Sequence, residues 1–211
     1  MAKPLLFILT GPSGVGKATV AKKVFECTER IAKVVTYASR PMRPGEQNHV
    51  TYHFVSGEEF KRKIEAGELF EWEKVYGDAY YGSPRDPFEN VPEGFDALLE
   101  IGAGGMKAYR AAFPEALTIF LAPPSMEAIL DRIEKRGGGE GNLENRLSSA
   151  VAMLKEAEEY RYIVVNDRLD SAAEQLRAII LAARANARHG DVLDNLQRQV
   201  TAWKATRAGN K

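Results

Sequence analysis

Residues 5–20 read LLFILTGPSGVGKATV, and they indicate the class of fold. The apolar run at residues 5–9 predicts a buried strand, and the glycine-rich turn after it leads into a helix from Lys17. In a strand–turn–helix unit of this kind, backbone N–H groups point into the turn and the helix dipole adds positive potential. The stretch therefore predicts a site for an anionic phosphate group.

The turn fits a phosphate-loop pattern at every defining position but one. The pattern is Gly, four residues, Gly, Lys and then Ser or Thr. Gly11, Gly16 and Lys17 fit it, whereas Ala18 stands where the hydroxyl residue is expected and Thr19 comes next. Ala18 cannot bind a metal, but Mg²⁺ keeps several water ligands, so a metal held mainly by phosphates and water tolerates the change.

The composition limits the classes of function. The chain has 211 residues, 45% of them hydrophobic, which is enough for a sizeable core. Lysine plus arginine equals aspartate plus glutamate at 29 each, so no overall positive field exists and we expect no nucleic-acid partner. No apolar run is long enough for a signal peptide or a membrane span, so we expect no membrane partner. The single cysteine, Cys27, cannot form a disulfide within the chain, which favours a cytoplasmic location.

Short apolar runs alternate with helical patterns along the chain. Residues 5–9, 96–101, 117–122 and 162–165 are mostly apolar runs of strand length. Such runs are typical of a parallel sheet that helices cover on both faces. The alternation predicts an α/β protein, a P-loop three-layer fold with a central parallel sheet.

Two segments interrupt this alternation and suggest a division of the chain. Residues 34–83 are polar, turn-rich and aromatic, which predicts an inserted binding flap. Residues 136–142, RGGGEGN, form a glycine-rich loop beside Arg132 and Arg146. Such a loop can move and close over phosphates, with a solvated helix–loop–helix as the alternative. The predicted units are a core of 1–33, 84–124 and 160–188, the insertion 34–83, a lid region 125–159 and a C-terminal helical extension 189–211.

Local signals place residues on the helices. Val20, Val24 and Cys27 recur on one face of the helix after the glycine turn, so we expect Cys27 in the core. Ser171 and Glu174 form a capping-box pattern, which predicts the start of the last long helix.

The tail carries an apolar stripe at helical spacing, made of Leu193, Leu196, Val200 and Trp203. We expect the stripe to pack back on the body of the protein. A short coiled-coil seam that joins two copies into a homodimer is the alternative.

Several motifs in order resemble guanylate kinases, over roughly residues 4–185. The resemblance implies a P-loop nucleoside monophosphate kinase that transfers the terminal phosphoryl group of MgATP to GMP or dGMP, giving ADP and GDP in purine nucleotide metabolism. It also implies that residues 34–83 are the nucleoside-monophosphate-binding insertion. The stretches that carry it are GPSGVGK (11–17), TYASRPMRPGEQNHVTYHFVSGEEF (36–60), GELFEWEKVYGDAYYGS (67–83), LAPPSMEAILDRIEKRG (121–137), NRL (145–147) and IVVND (163–167).

The resemblance also implies which residues bind each substrate. For ATP they are Gly11, Ser13, Gly14, Val15, Gly16, Lys17, Ala18, Thr19, Arg132, Arg136, Asn166 and Asp167. For GMP they are Thr36, Arg40, Arg43, Tyr52, Glu71, Tyr81, Gly82, Ser83 and Glu100. The catalytic residues are Lys17, Arg40, Arg136 and Arg146, and Mg²⁺ enters with ATP, with Thr19 as a ligand acting through water.

The chemistry of these side chains agrees with the implied roles. Arg40 and Arg43, together with Tyr52 and Tyr81, can bind a phosphate. Glu71 can accept hydrogen bonds from the N1–H and 2-amino groups of guanine, a pair that adenine does not offer. The alternatives are a solvated turn for the arginines, ordinary packing for the tyrosines and a surface acid for Glu71.

Residues 98–107, LLEIGAGGMK, depart from the family pattern Asp-Ile-Asp, one residue, Gln-Gly. Glu100 replaces the first aspartate, Gly102 the second and Gly104 the glutamine. Loss of a charged hydrogen-bond partner is worth about 1.5–3 kcal/mol. The pattern predicts that a carboxylate is missing here and that Gly102→Asp improves the use of GMP.

Three functions stay open at this point. They are an active guanylate kinase with an altered site, a kinase of the same fold acting on another small phosphorylated acceptor, and a non-enzymatic binding module of the guanylate-kinase type. Gly16, Lys17 and the lid arginines argue against the binding module, because a pure binder does not need them. Glu71 argues against another acceptor.

The histidines give no metal site at this level. His49 and His53 are four residues apart, but they lie in a turn-and-strand stretch where that spacing does not align their side chains. We therefore expect no metal-binding pair there.

Overall fold

The structure is a computed structural model that describes residues 3–75, 79–135 and 143–208. A 3₁₀ turn at Ala157–Glu159 lies between the fifth helix and the last strand. In chain order the strands and helices are β1 (Leu6–Thr10), α1 (Lys17–Cys27), β2 (Ile31–Lys33), β3 (Tyr37–Ala38), β4 (His53–Phe54), α2 (Gly57–Glu65), β5 (Leu69–Val75), β6 (Ala79–Pro84), β7 (Asp96–Glu100), α3 (Ala103–Ala112), β8 (Leu117–Ala122), α4 (Met126–Lys135), α5 (Leu143–Lys155), β9 (Tyr162–Val165) and α6 (Leu169–Ala208).

The central sheet is parallel, as the sequence predicts. Its order is β2-β7-β1-β8-β9, and every neighbouring pair runs parallel. Four of the strands correspond to the four predicted apolar runs. The fifth strand, β2, has no such run, because it has only three residues and two of them are only partly buried at the edge of the sheet.

Helices cover both faces of this sheet, and β1 shows how the two cores form. All of its residues are buried, and alternate side chains point to opposite faces. Phe7 and Leu9 pack in one cluster with α1 and α6, around Val20 and Leu176. Leu6 and Ile8 pack with α3 in a second cluster, around Tyr109. The three-layer α/β architecture is therefore confirmed.

A second, smaller sheet lies beside the first and is built from residues 37–84. Its order is β4-β3-β6-β5, with β3–β4 parallel and the other two pairs antiparallel. Phe70 of β5 fixes it to α3, because its ring lies 4.3 Å from the ring of Tyr109 and 6.2 Å from that of Phe113. The Tyr109 hydroxyl also donates to the carbonyl of Pro84 at 2.5 Å. The boundaries of a separate insertion stay a prediction.

An ion pair ties the last helix to the central sheet. Arg184 Nε lies 2.7 Å from Asp96 Oδ2, at the start of β7. The other carboxylate oxygen of Asp96 accepts from the backbone N–H of Leu5 at 2.8 Å. Arg184 Nη2 also donates to the carbonyls of Glu29 and Arg30. One largely buried contact therefore joins α6, β7 and the chain segments that flank β1 and β2.

The expectation that the tail packs back on the body is wrong for three of its apolar residues. The helix α6 runs without a break across residues 188 and 189, because no proline interrupts it. Leu193, Leu196 and Val200 are 44%, 50% and 51% exposed. The side chain of Trp203 is not among those that the structure describes. Pairing of two copies along this stripe stays a prediction. None of the described helices combines the length and hydrophobicity needed to cross a membrane.

Two further local expectations are wrong. Cys27 is exposed because it ends α1, and Thr28, which leaves the helix in an extended conformation, is buried in its place. Ser171 is not a helix cap. The Ala172 N–H donates to the carbonyl of Arg168 at 3.0 Å, so the first turn of α6 already contains Ser171.

Candidate active site

The glycine-rich turn joins β1 to α1, and at two of its positions only a glycine fits. Gly11 has φ +156°, and a Cβ there would lie 2.4 Å from the carbonyl oxygen of Leu121. Gly16 has φ +101°, and a Cβ there would lie 2.7 Å from Asn166 Nδ2. Side chains are therefore excluded where the backbone turns toward a ligand, which is the property a phosphate loop needs.

Lys17 begins α1 and is held over the loop. Its Nζ donates to the carbonyl of Gly11 at 2.5 Å and to that of Pro12 at 3.2 Å. Ala18 and Thr19 follow in the first helical turn, and both are exposed. The predicted role of the Thr19 hydroxyl as a metal ligand through water stays a prediction.

Asn166 holds the backbone of the phosphate loop through its side chain. The residue is buried, and its side-chain amide donates to the carbonyl of Val15 at 2.7 Å. Asp167 is exposed, and its carboxylate accepts from the N–H of Arg168 at 2.6 Å, at the start of α6. The contacts of Asn166 are therefore those of a residue that fixes the loop. Of the other ATP-site residues, Ser13 is exposed, Gly14 is half-buried and Val15 is buried.

The predicted lid arginines lie where the structure gives no side-chain contacts. Arg136 lies outside the described residues. The backbone of Arg132 is part of α4 and that of Arg146 is part of α5, but their side chains are also outside the description. Their roles stay predictions.

Arg40 lies at the predicted phosphate-binding end of the small sheet, and hydrogen bonds to Glu46 and Tyr81 fix its guanidinium. Its two terminal nitrogens each lie 2.6 Å from one carboxylate oxygen of Glu46, and Nε donates to the Tyr81 hydroxyl at 2.8 Å. The hydrogen bonds with Glu46 raise the pKa of Arg40. Glu46 also accepts from the backbone N–H of Arg43, whose side chain is exposed. Glu46 thus orients Arg40 and the backbone at Arg43, a role that its place in the matched stretch 36–60 does not indicate.

Aromatic rings enclose this end of the small sheet. The ring of Tyr52 lies 5.8 Å from that of Tyr81, and the guanidinium of Arg40 lies 5.4 Å from the ring of Tyr52. Burial raises the pKa of Tyr52 to about 12, so this hydroxyl stays protonated and can donate to an anion.

Glu71 and Ser83 form the predicted base-recognising pair. They lie opposite each other on β5 and β6, and the Ser83 hydroxyl donates to Glu71 Oε1. Burial raises the pKa of Glu71, the bond from Ser83 opposes that shift and the charge of Glu73 adds to it. Gly82 and Thr36 are buried beside this pair, on β6 and just before β3.

The carboxylate of Glu71 stands against the first turn of α3. A Cβ added to Gly105 would lie 2.8 Å from its carboxyl carbon and 2.9 and 3.1 Å from its oxygens. The N-terminal end of a helix favours an anion. The glycine therefore lets the small sheet bring a negative charge onto the helix end.

Glu100 ends β7 next to the phosphate loop, paired with Leu9 of β1. Burial raises its pKa, while the charges of Lys33 and Lys17 oppose that shift. Lys33 Nζ lies 3.8 Å from Glu100, donates to the carbonyl of Thr51 at 2.9 Å and lies 5.4 Å from the ring of Tyr52. Lys33 thus links the two sheets at the site. No sequence pattern points to Lys33, because it lies in the short edge strand that has no apolar run.

The expectation that His49 and His53 do not align is wrong. Their Nδ1 atoms lie 2.8 Å apart. The backbone of His49 adopts the left-handed conformation with φ 64°, and its N–H donates to the carbonyl of Tyr52, so the chain folds back and places both rings together. Among the residues that the structure describes, no group of three or more His, Cys, Asp or Glu could hold a metal ion.

The glycine turn between a parallel strand and a helix, with a lysine at the helix start, defines a P-loop nucleotide-binding protein. Comparison with known sequences is more specific. The model of the family described as "Guanylate kinase" matches residues 3–183. The chain belongs to the guanylate kinase family.

Similar proteins support this membership over most of the chain. A guanylate kinase of Symbiobacterium thermophilum is 44% identical over 194 residues, covering 90% of this chain and 92% of that protein. A guanylate kinase of Caldanaerobacter subterraneus is 42% identical over 182 residues, covering 85% and 88%. The crystal structure of a guanylate kinase from Anaplasma phagocytophilum superimposes with a TM-score of 0.69 at 31% identity, covering 86% of this chain and 87% of that one.

Substitution of the two neighbouring glycines of α3 tests the contact with Glu71. Gly105→Ala should raise the KM for GMP about tenfold to a hundredfold, because its methyl group displaces a charged hydrogen-bond partner. Gly104→Ala is the matched control, since no atom lies within 4 Å of a Cβ there. It should leave the KM unchanged and stabilise the helix by about 0.5–1 kcal/mol. Equal KM values for the two variants would contradict this assignment.

The pKa of Glu71 makes the pH dependence of GMP use testable through Ser83. Glu71 must be ionised to accept two N–H groups, so activity falls on acidification as Glu71 becomes protonated. Ser83→Ala removes the bond that lowers the pKa of Glu71, so the acidic limb of kcat/KM for GMP should move to higher pH. Titration of GMP itself cancels when both proteins are measured with the same substrate. Ser171→Ala, an exposed serine-to-alanine change on α6, should not move the limb, and a shift to lower pH in Ser83→Ala would refute the interpretation.

Proposed function

We propose that the chain is an ATP:GMP phosphotransferase that converts GMP and ATP to GDP and ADP. The observation that carries the proposal is the Glu71–Ser83 pair at the start of α3, because α3 follows β7 and β7 pairs with the strand that leads into the phosphate loop. Glu100 ends β7 beside Leu9 of β1, and Glu73 lies against Gly102, two residues further on. Burial raises the pKa of both acids and the positive charge of Lys17 opposes both shifts, which supports a site shared with the loop lysine.

The base is recognised by hydrogen-bond pattern. Ionised Glu71 accepts from the N1–H and the 2-amino group of guanine, and Thr36 donates to its O6. Adenine presents an unprotonated N1 at the same edge, so the half-buried carboxylate keeps its bond from Ser83 but gains no donor from the base. A carboxylate that lacks these donors costs more than a lost neutral hydrogen bond, which accounts for discrimination between the two purines.

The phosphate of GMP binds at the opposite end of the small sheet. Arg40 is held in one orientation by Glu46 and Tyr81, and Arg43 lies exposed beside it. The hydroxyls of Tyr52 and Tyr81 add donors. Base and phosphate are thus held by one sheet, which fixes the nucleotide in a single orientation toward the loop.

Transfer joins a phosphate oxygen of GMP to the terminal phosphorus of ATP, while the bond from that phosphorus to the bridging oxygen breaks and ADP leaves. Lys17 binds the phosphate oxygens and offsets the charge that develops on them. Glu100 pairs with Lys33 and so keeps this cation on the side of the site where GMP is proposed to bind. Arg136 and Arg146, with Arg132, are proposed to close over the transferring group and exclude water.

The metal that accompanies ATP is proposed to be Mg²⁺. The donors beside the loop are the Thr19 hydroxyl and carboxylates, all oxygen ligands of the type Mg²⁺ prefers, and the lack of a hydroxyl at Ala18 leaves the remaining ligands to phosphates and water. Bound Mg²⁺ neutralises charge on the phosphates. We also place the reaction in the cytoplasm, in keeping with a chain whose one cysteine cannot form an internal disulfide.

A coupled assay of ADP release tests the proposed function. With MgATP, the protein should phosphorylate GMP and dGMP and leave AMP, UMP and CMP unreacted. Lys17→Ala should lower kcat at least about a hundredfold, because it removes the cation that stabilises the transition state. Lys22→Ala, on the exposed face of the same helix, is the matched control and should retain full activity. ADP release only with a non-guanine acceptor would show a different kinase, and no release with any acceptor despite GMP binding would show a binding module.

A further inference from the structure

Gly102 has no backbone reason to be glycine. It caps the start of α3 with φ −76° and ψ 174°, a conformation open to any residue. The space beside it, however, is filled. A Cβ there would lie 3.0 Å from Glu73 Oε1, 3.5 Å from Oε2 and 3.6 Å from the carboxyl carbon, and these are its three nearest neighbours. The carboxylate of Glu73 therefore stands where a side chain at position 102 would begin.

Glu73 reaches this place from the small sheet. It lies on β5 two residues after Glu71, so both side chains are on the same face of the strand. Each carboxylate lies against one glycine of the α3 start, Glu71 at Gly105 and Glu73 at Gly102. Partial burial of the carboxylate raises the pKa of Glu73, and the charge of Lys17 opposes that shift.

We propose that Glu73 supplies the acceptor-side carboxylate that Gly102 lacks and that it contacts the bound nucleotide during phosphoryl transfer. The proposal rests on the proposed function. Glu71 lies at Gly105 and Glu73 at Gly102, so Glu73 is the one at the helix position nearer to β7, the strand that pairs with β1 before the phosphate loop. A carboxylate repels phosphate, so the partners of Glu73 are hydrogen-bond donors near it, namely a ribose hydroxyl of GMP or a water held by the phosphates.

This inference reverses the expectation that Gly102→Asp improves the use of GMP. The Cβ of an aspartate at position 102 would lie 3.0 Å from Glu73 Oε1, closer than an ordinary van der Waals contact, so the two carboxylates would be crowded together. Two carboxyl groups this close cannot both ionise without a cost in free energy, so the introduced aspartate and Glu73 would each disfavour the charged form of the other. Gly102→Asp should therefore give no gain while Glu73 is present.

A double-mutant cycle between the two positions tests the proposal. Glu73→Gln keeps the size of the side chain and removes its charge, and it should lower kcat/KM for GMP about tenfold to a hundredfold. Glu73→Ala should do the same. In Glu73→Ala/Gly102→Asp, the new aspartate enters the vacated space and also caps α3, so activity should rise well above that of Glu73→Ala. Glu65→Gln, an exposed glutamate on α2, is the control and should match the wild type.

The readouts separate this proposal from the proposed function. Thermal unfolding and GMP titration by calorimetry check that each variant is folded. Measurement of the same variants with dGMP, which lacks the 2′-hydroxyl, locates the contact. A loss of kcat/KM with GMP alone assigns the contact to the 2′-hydroxyl, and equal losses with GMP and dGMP assign it to water or to the other ribose hydroxyl. If the wild type uses GMP but Glu73→Gln stays within about twofold of it, or if the double variant is no better than Glu73→Ala, the proposal fails. A wild type that does not phosphorylate GMP refutes the proposed function instead.

Discussion

Two acidic side chains of the small sheet lie against the first turn of α3, and this contact requires that the turn carry no side chains at two positions. Glu71 occupies the space beside Gly105, and Glu73 that beside Gly102. The helix end favours the negative charges, and the ring of Phe70 on Tyr109 holds the sheet at that distance. The position of the acceptor site relative to the phosphate loop follows from this one packing constraint.

The charges of the cleft are arranged in opposed groups. Acids on the small sheet and at the end of β7 are partly enclosed, which raises their pKa values, and Lys17 and Lys33 oppose that effect for those nearest to them. At the far end, Glu46 holds Arg40 in place, so a strong cation is kept in a fixed position. We therefore expect a nucleotide, with its phosphate at one end and its guanine at the other, to bind in only one direction.

The features that can be predicted from the sequence are those set by local pattern. The phosphate loop and four strands of the central sheet follow from short contiguous runs, and the arginines and tyrosines of the small sheet follow from a family motif. The structure places Asn166 under the loop, which only a contact across 151 residues reveals. The pairing of His49 with His53 depends on one left-handed backbone angle that no spacing rule anticipates.

The closeness of Glu73 to Gly102 bears on what a motif can say about the end of β7. The motif infers a missing aspartate from position in the chain, whereas the physical quantity that matters is where a carboxylate lies in space. Two residues far apart in the chain can fill one place, because packing brings β5 onto α3. Under the proposal that Glu73 supplies the carboxylate, the departure from the family pattern leaves the site intact.

A crystal structure of the protein with GMP bound would show directly whether Glu71 recognises the base. The guanine edge should lie within about 2.7–3.1 Å of the Glu71 carboxylate, with Ser83 still bonded to that carboxylate and Gly105 next to it. A nucleotide bound elsewhere, or a Glu71 carboxylate turned away from the base, would contradict this role of Glu71.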